Sequence, residues 1–91
     1  MSVWPAVAGR VLVADDEMSL RKLLRAYLVK SGFEVVEARD GREALFEAER
    51  CTPDVAIVDV MLPELDGFEV VRRLRARSSI PILLLTAKNH E

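Results

Sequence analysis

Apolar residues recur along this chain at two spacings, and the alternation between those spacings predicts its elements. Val11-Leu12-Val13-Ala14 is a short apolar run opening into Asp15-Asp16-Glu17, which predicts a buried strand with acid at its carboxyl end. Leu20, Leu23, Leu24, Tyr27 and Leu28 follow at i, i+3, i+4, i+7 and i+8, one stripe of an amphipathic helix. Arg21, Lys22, Arg25 and Lys30 fall on its other faces, and Ser31-Gly32 ends it, with Gly32 as a left-handed cap. Phe33–Ala38 is a second strand, and its two glutamates mark an edge. Asp40-Gly41 starts a second helix, with Asp40 as N-cap, Glu43 as its box partner, and Ala44, Leu45 and Ala48 as a narrow apolar face. Val55–Val58 is apolar on both alternating sides, as a central parallel strand is, and it ends in Asp59.

After the loop Val60–Gly67, a third helix is expected to turn Phe68, Val71 and Leu74 inward and Arg72, Arg73, Arg75 and Arg77 outward. Ile80–Leu85 is a fourth strand ending at Thr86, with Pro81 near its start, where a missing N–H is tolerated. Residues 1–9 read as an irregular leader. Strands alternating with helices imply βαβ units, an α/β fold and a parallel sheet with right-handed crossovers.

Composition narrows the class. The 91 residues are 51% hydrophobic and 31% charged, too apolar for a disordered chain and the right size for one domain. No apolar run is long enough to span a bilayer, so no membrane partner is expected. A net charge of −2 gives no electrostatic reason to bind nucleic acid. Cys51 is a lone cysteine and reads as an inert helix-end residue, and His90 sits in a tail with no evident partner. With no signal-peptide pattern, the expected location is cytoplasmic.

Open parallel sheets bind ligands beyond the carboxyl ends of their strands. Here those ends carry Asp15-Asp16, Asp59 and Thr86. Taken singly, each Asp is an ordinary cap or turn former, and Thr86 an ordinary strand-end residue. Together, carboxylates from separate strands repel one another, and a hard cation such as Mg²⁺ relieves that. Glu17, Glu64 and Asp66 read as solvated or capping residues.

Four segments now carry a resemblance: Leu12–Glu17, Ala38–Leu45, Pro53–Glu69 and Pro81–Ala87. In order and spacing, from about Arg10 to the last residue, they resemble the receiver domain of two-component response regulators. The wording around Asp59 and Asp66-Gly67 most resembles the class whose receivers precede a winged-helix DNA-binding domain. The resemblance implies a flavodoxin-like fold with helices on both faces of the sheet. It further implies a phosphoacceptor at Asp59, loaded by a sensor histidine kinase, and Mg²⁺ held by Asp16 and Asp59, by Asp15 mainly through water, and by the Met61 backbone carbonyl. Thr86 would be the phosphoryl-sensing hydroxyl, Ala87 would leave room for the phosphoryl group, and Met61 and Lys88 would tune its lifetime. The chain would be a phosphoacceptor switch of transcription rather than an enzyme.

Set against the family, residues 10–91 read as a receiver truncated after its fourth strand. The expected order is 2-1-3-4, without the fifth strand, its lysine and the last two helices, and contact with DNA would require an output domain not in this sequence. The apolar Ile82–Leu85 edge is then expected to promote self-association or segment swapping; alternatively, the chain is a fragment of a longer protein. A competing reading is a receiver-like docking module that works without phosphorylation. An aspartate-nucleophile phosphohydrolase would want a second acid where Met61 stands, and a nucleotide-binding domain would want a glycine-rich loop after the first strand.

Overall fold

The computed structural model describes residues 9–85. Four parallel strands, β1 (Gly9–Ala14), β2 (Phe33–Ala38), β3 (Val55–Asp59) and β4 (Ile82–Leu85), lie in the order β2-β1-β3-β4. They alternate with α1 (Met18–Lys30), α2 (Gly41–Cys51) and α3 (Gly67–Arg75). The expected α/β architecture and strand order are therefore present. The leader to residue 8, Thr86, Ala87, Lys88 and His90 lie outside the described residues.

Burial on both faces explains why β1 is apolar from Val11 to Ala14 and β3 from Val55 to Val58. Leu12, Ala14, Ala56 and Val58 face α2 and α3, and pack with Ala44, Leu62, Val70 and Leu74. Val11, Val13 and Ile57 face the other way, onto Leu24 and Leu28 of α1. With helices on both faces, no polar position can be spared on a central strand.

Local chemistry sets the helix boundaries. Asp40 and Asp66 each accept the N–H three residues on, from Glu43 and Glu69, and each is followed by a glycine. Glu43 reaches back to the N–H of Arg39, one residue before the Asp40 N–H that a capping box would use. Gly32 has φ +99°, the left-handed turn that ends α1.

Four expectations are corrected. Leu23 and Tyr27 are 66% and 71% exposed, so the inward stripe of α1 is the half-buried Leu20, Leu24 and Leu28 with the buried Arg21 instead. Arg21, expected on an outer face, is only 5% exposed. On α3, Phe68 is exposed and Val70 is fully buried, because the inward arc runs through 67, 70, 71 and 74. The fourth strand begins at Ile82, after Pro81, whose carbonyl accepts the N–H of Ala56.

Candidate functional site

The order β2-β1-β3-β4 makes β1 and β3 neighbours whose chains leave in opposite directions, so a crevice opens between their carboxyl ends. Asp15 follows β1 directly, and Asp59 is the last residue of β3. Both are fully buried, while Asp16 is exposed. One carboxylate oxygen from each of the three lies within 4.8 Å of the others. This is the only such cluster of metal-ligating side chains among the described residues. An all-oxygen, anionic donor set open to solvent on the Asp16 side fits a hard divalent cation.

Two short turns aim the buried carboxylates. Asp15 Oδ1 accepts the Glu17 N–H at 2.9 Å, and Asp59 Oδ1 accepts the Met61 N–H at 3.1 Å. Met61 therefore stands beside Asp59 through its backbone, and its side chain is exposed.

Backbone packing fixes the loop after Asp59. The Gly67 N–H bonds to the Val60 carbonyl at 2.9 Å, and a Cβ at Gly67 would lie 2.3 Å from the Asp59 carbonyl oxygen. Only glycine lets α3 begin this close to the end of β3. Gly41 does the same for α2, where a Cβ would lie 2.2 Å from the Leu65 carbonyl oxygen. On the other side, the Val60 N–H donates to the Leu85 carbonyl, tying β4 to the same edge.

The structure thus brings together Asp15, Asp16, Asp59 and the Met61 backbone, while Thr86 lies outside the described residues. Sequence reasoning missed Arg21 and Glu37. The Arg21 guanidinium donates to the Asp15 carbonyl at 2.8 Å and to Glu37 at 2.7 Å. Burial pushes the Glu37 carboxyl up, but hydrogen bonds from Arg21, Lys22 and Arg25 outweigh it and hold the group below its ordinary value. The missed signal was periodicity: 21, 24 and 28 share a helix face as well as 20, 24 and 28 do.

The remaining polar residues fit their plain readings. Arg72 and Arg73 pair with Glu69, whose carboxyl these two partners lower to about 2, and Arg77 pairs with Glu49. Asp66 caps α3. Burial and a hydrogen bond to Glu47 push the Cys51 thiol up, away from the reactive thiolate. Among the described residues, no helix is long and apolar enough to cross a membrane.

Known proteins share both pattern and shape. Residues 11–91 match the response regulator receiver domain family. The chain is 51% identical over 83 residues to the alkaline phosphatase synthesis transcriptional regulatory protein PhoP of Bacillus subtilis, covering 90% of this chain and 35% of PhoP. It is 40% identical over 82 residues to the transcriptional regulatory protein ResD of the same organism, covering 90% of this chain and 34% of ResD. The chain thus spans about a third of the length of these curated relatives. Among solved structures, the chemotaxis response regulator CheY4 of Vibrio cholerae superposes with a TM-score of 0.83 at 42% identity, over 89% of this chain and 70% of that one. The BeF3-activated N-terminal receiver domain of Klebsiella pneumoniae RstA superposes with a TM-score of 0.83 at 33% identity, over 90% of this chain and 70% of that one. With its sheet order, its acidic strand ends and this match over nearly its whole length, the chain belongs to the response regulator receiver domain family.

Proposed function

We propose that this domain accepts a phosphoryl group on Asp59 from the phosphohistidine of a sensor histidine kinase in the cytoplasm. The observation supporting this most strongly is the meeting of buried Asp59 with Asp15 and Asp16 at the ligand-binding edge of a receiver fold. An oxygen of the ionised Asp59 carboxylate bonds to phosphorus as the P–N bond breaks; the imidazole nitrogen keeps the electron pair and takes up a proton. The domain is a phosphoacceptor that assists its own modification, not an enzyme with turnover.

Asp16 and Asp59 would hold Mg²⁺ through side-chain oxygens, Met61 through its backbone carbonyl and Asp15 mainly through water. Bound there, the ion neutralises charge between the carboxylate and the phosphoryl oxygens. Thr86 would donate its hydroxyl to the new phosphoryl group. The modification adds charge at one end of the sheet and biases a two-state surface. PhoP and ResD are named transcriptional regulators, and the corresponding output here is control of transcription through a DNA-binding domain. The same reading includes self-association of this chain through β4, where Leu83 is 59% exposed.

Incubation with a small-molecule phosphodonor tests the proposal. Wild-type protein with Mg²⁺ should gain one phosphoryl group by intact mass, Asp59→Asn none, and wild-type protein with chelator very little. Equal labelling of the two proteins would refute the acceptor assignment. No labelling of either would favour the docking module that works without phosphorylation.

A further inference from the structure

The end of β2 and Arg21 of α1 grip the backbone of Asp15 from its two sides. The Asp15 N–H donates to the Ala38 carbonyl at 3.0 Å, and the Asp15 carbonyl accepts from Arg21 Nη1 at 2.8 Å. Arg21 is in turn held by Glu37, the residue before Ala38, at 2.7 Å. Glu37 also takes Lys22 Nζ at 3.1 Å and Arg25 Nη1 at 3.0 Å, so it stays anionic under three cations from α1.

Burying a guanidinium is costly, and a buried ion pair of this kind often gives no more stability than apolar residues of the same volume. The seam between α1 and β2 already has Leu24 and Leu28 of α1 and Val35 of β2 for packing. Stability alone therefore gives little reason for a charge there. What the charge reaches is the peptide of one acid in the cluster. We infer that the Arg21–Glu37 pair is a positioning device that holds Asp15 in place for a divalent cation. This rests on the proposed Mg²⁺ site.

Charge and position predict opposite signs. Removing a positive group near three carboxylates should, by Coulomb's law alone, tighten cation binding. Removing a clamp should loosen it, and losing a residue that orients a ligand typically costs about tenfold in metal affinity.

Mg²⁺ titration followed by the backbone amide NMR signals of Glu17 and Met61 reads the effect, since these amides bond to Asp15 and Asp59. Arg21→Met should bind Mg²⁺ about tenfold more weakly than wild type. In an Asp15→Asn background, the same change should add less than about twofold, because the clamp acts through Asp15. Without cation, Arg21→Met should speed hydrogen exchange at the Asp15 amide. Unchanged or tighter binding, a full further loss in the Asp15→Asn background, or unchanged exchange would overturn the inference and leave the proposed function standing. If Arg21→Met does not fold, Glu37→Gln serves in its place: severalfold weaker binding supports the clamp and unchanged binding overturns it. Failure of wild-type protein to bind Mg²⁺ at all would instead refute the metal site, and the inference with it.

Discussion

The two buried acids of the cluster sit at equivalent strand ends but are held by different physics. Asp15 is held by polar partners: the Ala38 carbonyl on one side of its peptide, and the Arg21–Glu37 pair on the other. Asp59, whose side chain also accepts the Met61 N–H, has its backbone closely packed: the Gly67 backbone lies against its carbonyl, at the edge of a core that includes Leu62, Val70 and Leu74. The difference follows from position in the sheet. The β1 end adjoins an edge strand, whose side chains can reach solvent and carry charge. The β3 end adjoins β4, an edge strand whose Ile82–Leu85 run is apolar, and has the start of α3 pressed against it through Gly67. The polar side should respond to pH, and the packed side to volume.

The largest effect is expected on the packed side. Gly67→Ala puts a methyl group 2.3 Å from the Asp59 carbonyl oxygen, and should destabilise the fold by about 3 kcal/mol in chemical denaturation. Gly32→Ala is the control. Its φ is +99° with nothing within 4 Å, so backbone strain alone applies, about 1 kcal/mol. Equal losses would mean that α3 does not press on Asp59 as described.

Next, Val70→Ala should cost about 2 kcal/mol, because Val70 is fully buried in the α2–α3 core. Phe68→Ala should change stability by less than about 0.5 kcal/mol, because Phe68 is 61% exposed. The reverse order would restore the inward Phe68 expected from the sequence.

That pair of residues also shows what the sequence conveys and what it withholds. The strand run Val55–Val58, the caps Asp40 and Asp66, and the acids at 15, 16 and 59 are legible because each depends on local spacing or on a family motif. The strand order 2-1-3-4 is legible only through the family resemblance. The inward faces of α1 and α3 are less legible. In both helices a modest rotation about the axis trades Phe68 for Val70 or Leu23 for Arg21 with little change in apolar periodicity. Size and hydrophobicity favour Phe68 and Leu23, but the available space and the acid at Glu37 favour Val70 and Arg21. Glu37 read as an edge marker, which it is; its second role depends on the register Val13↔Glu37 and on helix packing that no local pattern encodes.

On the polar side, acid should be the discriminating condition. The folded Glu37 carboxyl lies below its ordinary value of 4.5, so its contribution to stability is complete above that pH. It is lost as the pH falls through the depressed folded value. Glu37→Gln should therefore flatten the acid limb of the stability profile in denaturation experiments run from neutral pH to about pH 3. An unchanged acid limb would remove the ion-pair hub from the account. Self-association should be the smallest effect: light scattering at high concentration should show species larger than a monomer, reduced in Leu83→Lys. A monomer at every concentration would contradict association through β4.

The central claim is that Asp59 is the phosphoacceptor, and covalent trapping tests it most directly. Protein treated with phosphodonor and Mg²⁺ is reduced with borohydride, which converts an aspartyl phosphate to homoserine, and is then mapped by peptide mass spectrometry. The account predicts homoserine at position 59 alone. Homoserine at position 15 or 16, or an unmodified position 59 in protein that has gained a phosphoryl group, would contradict it.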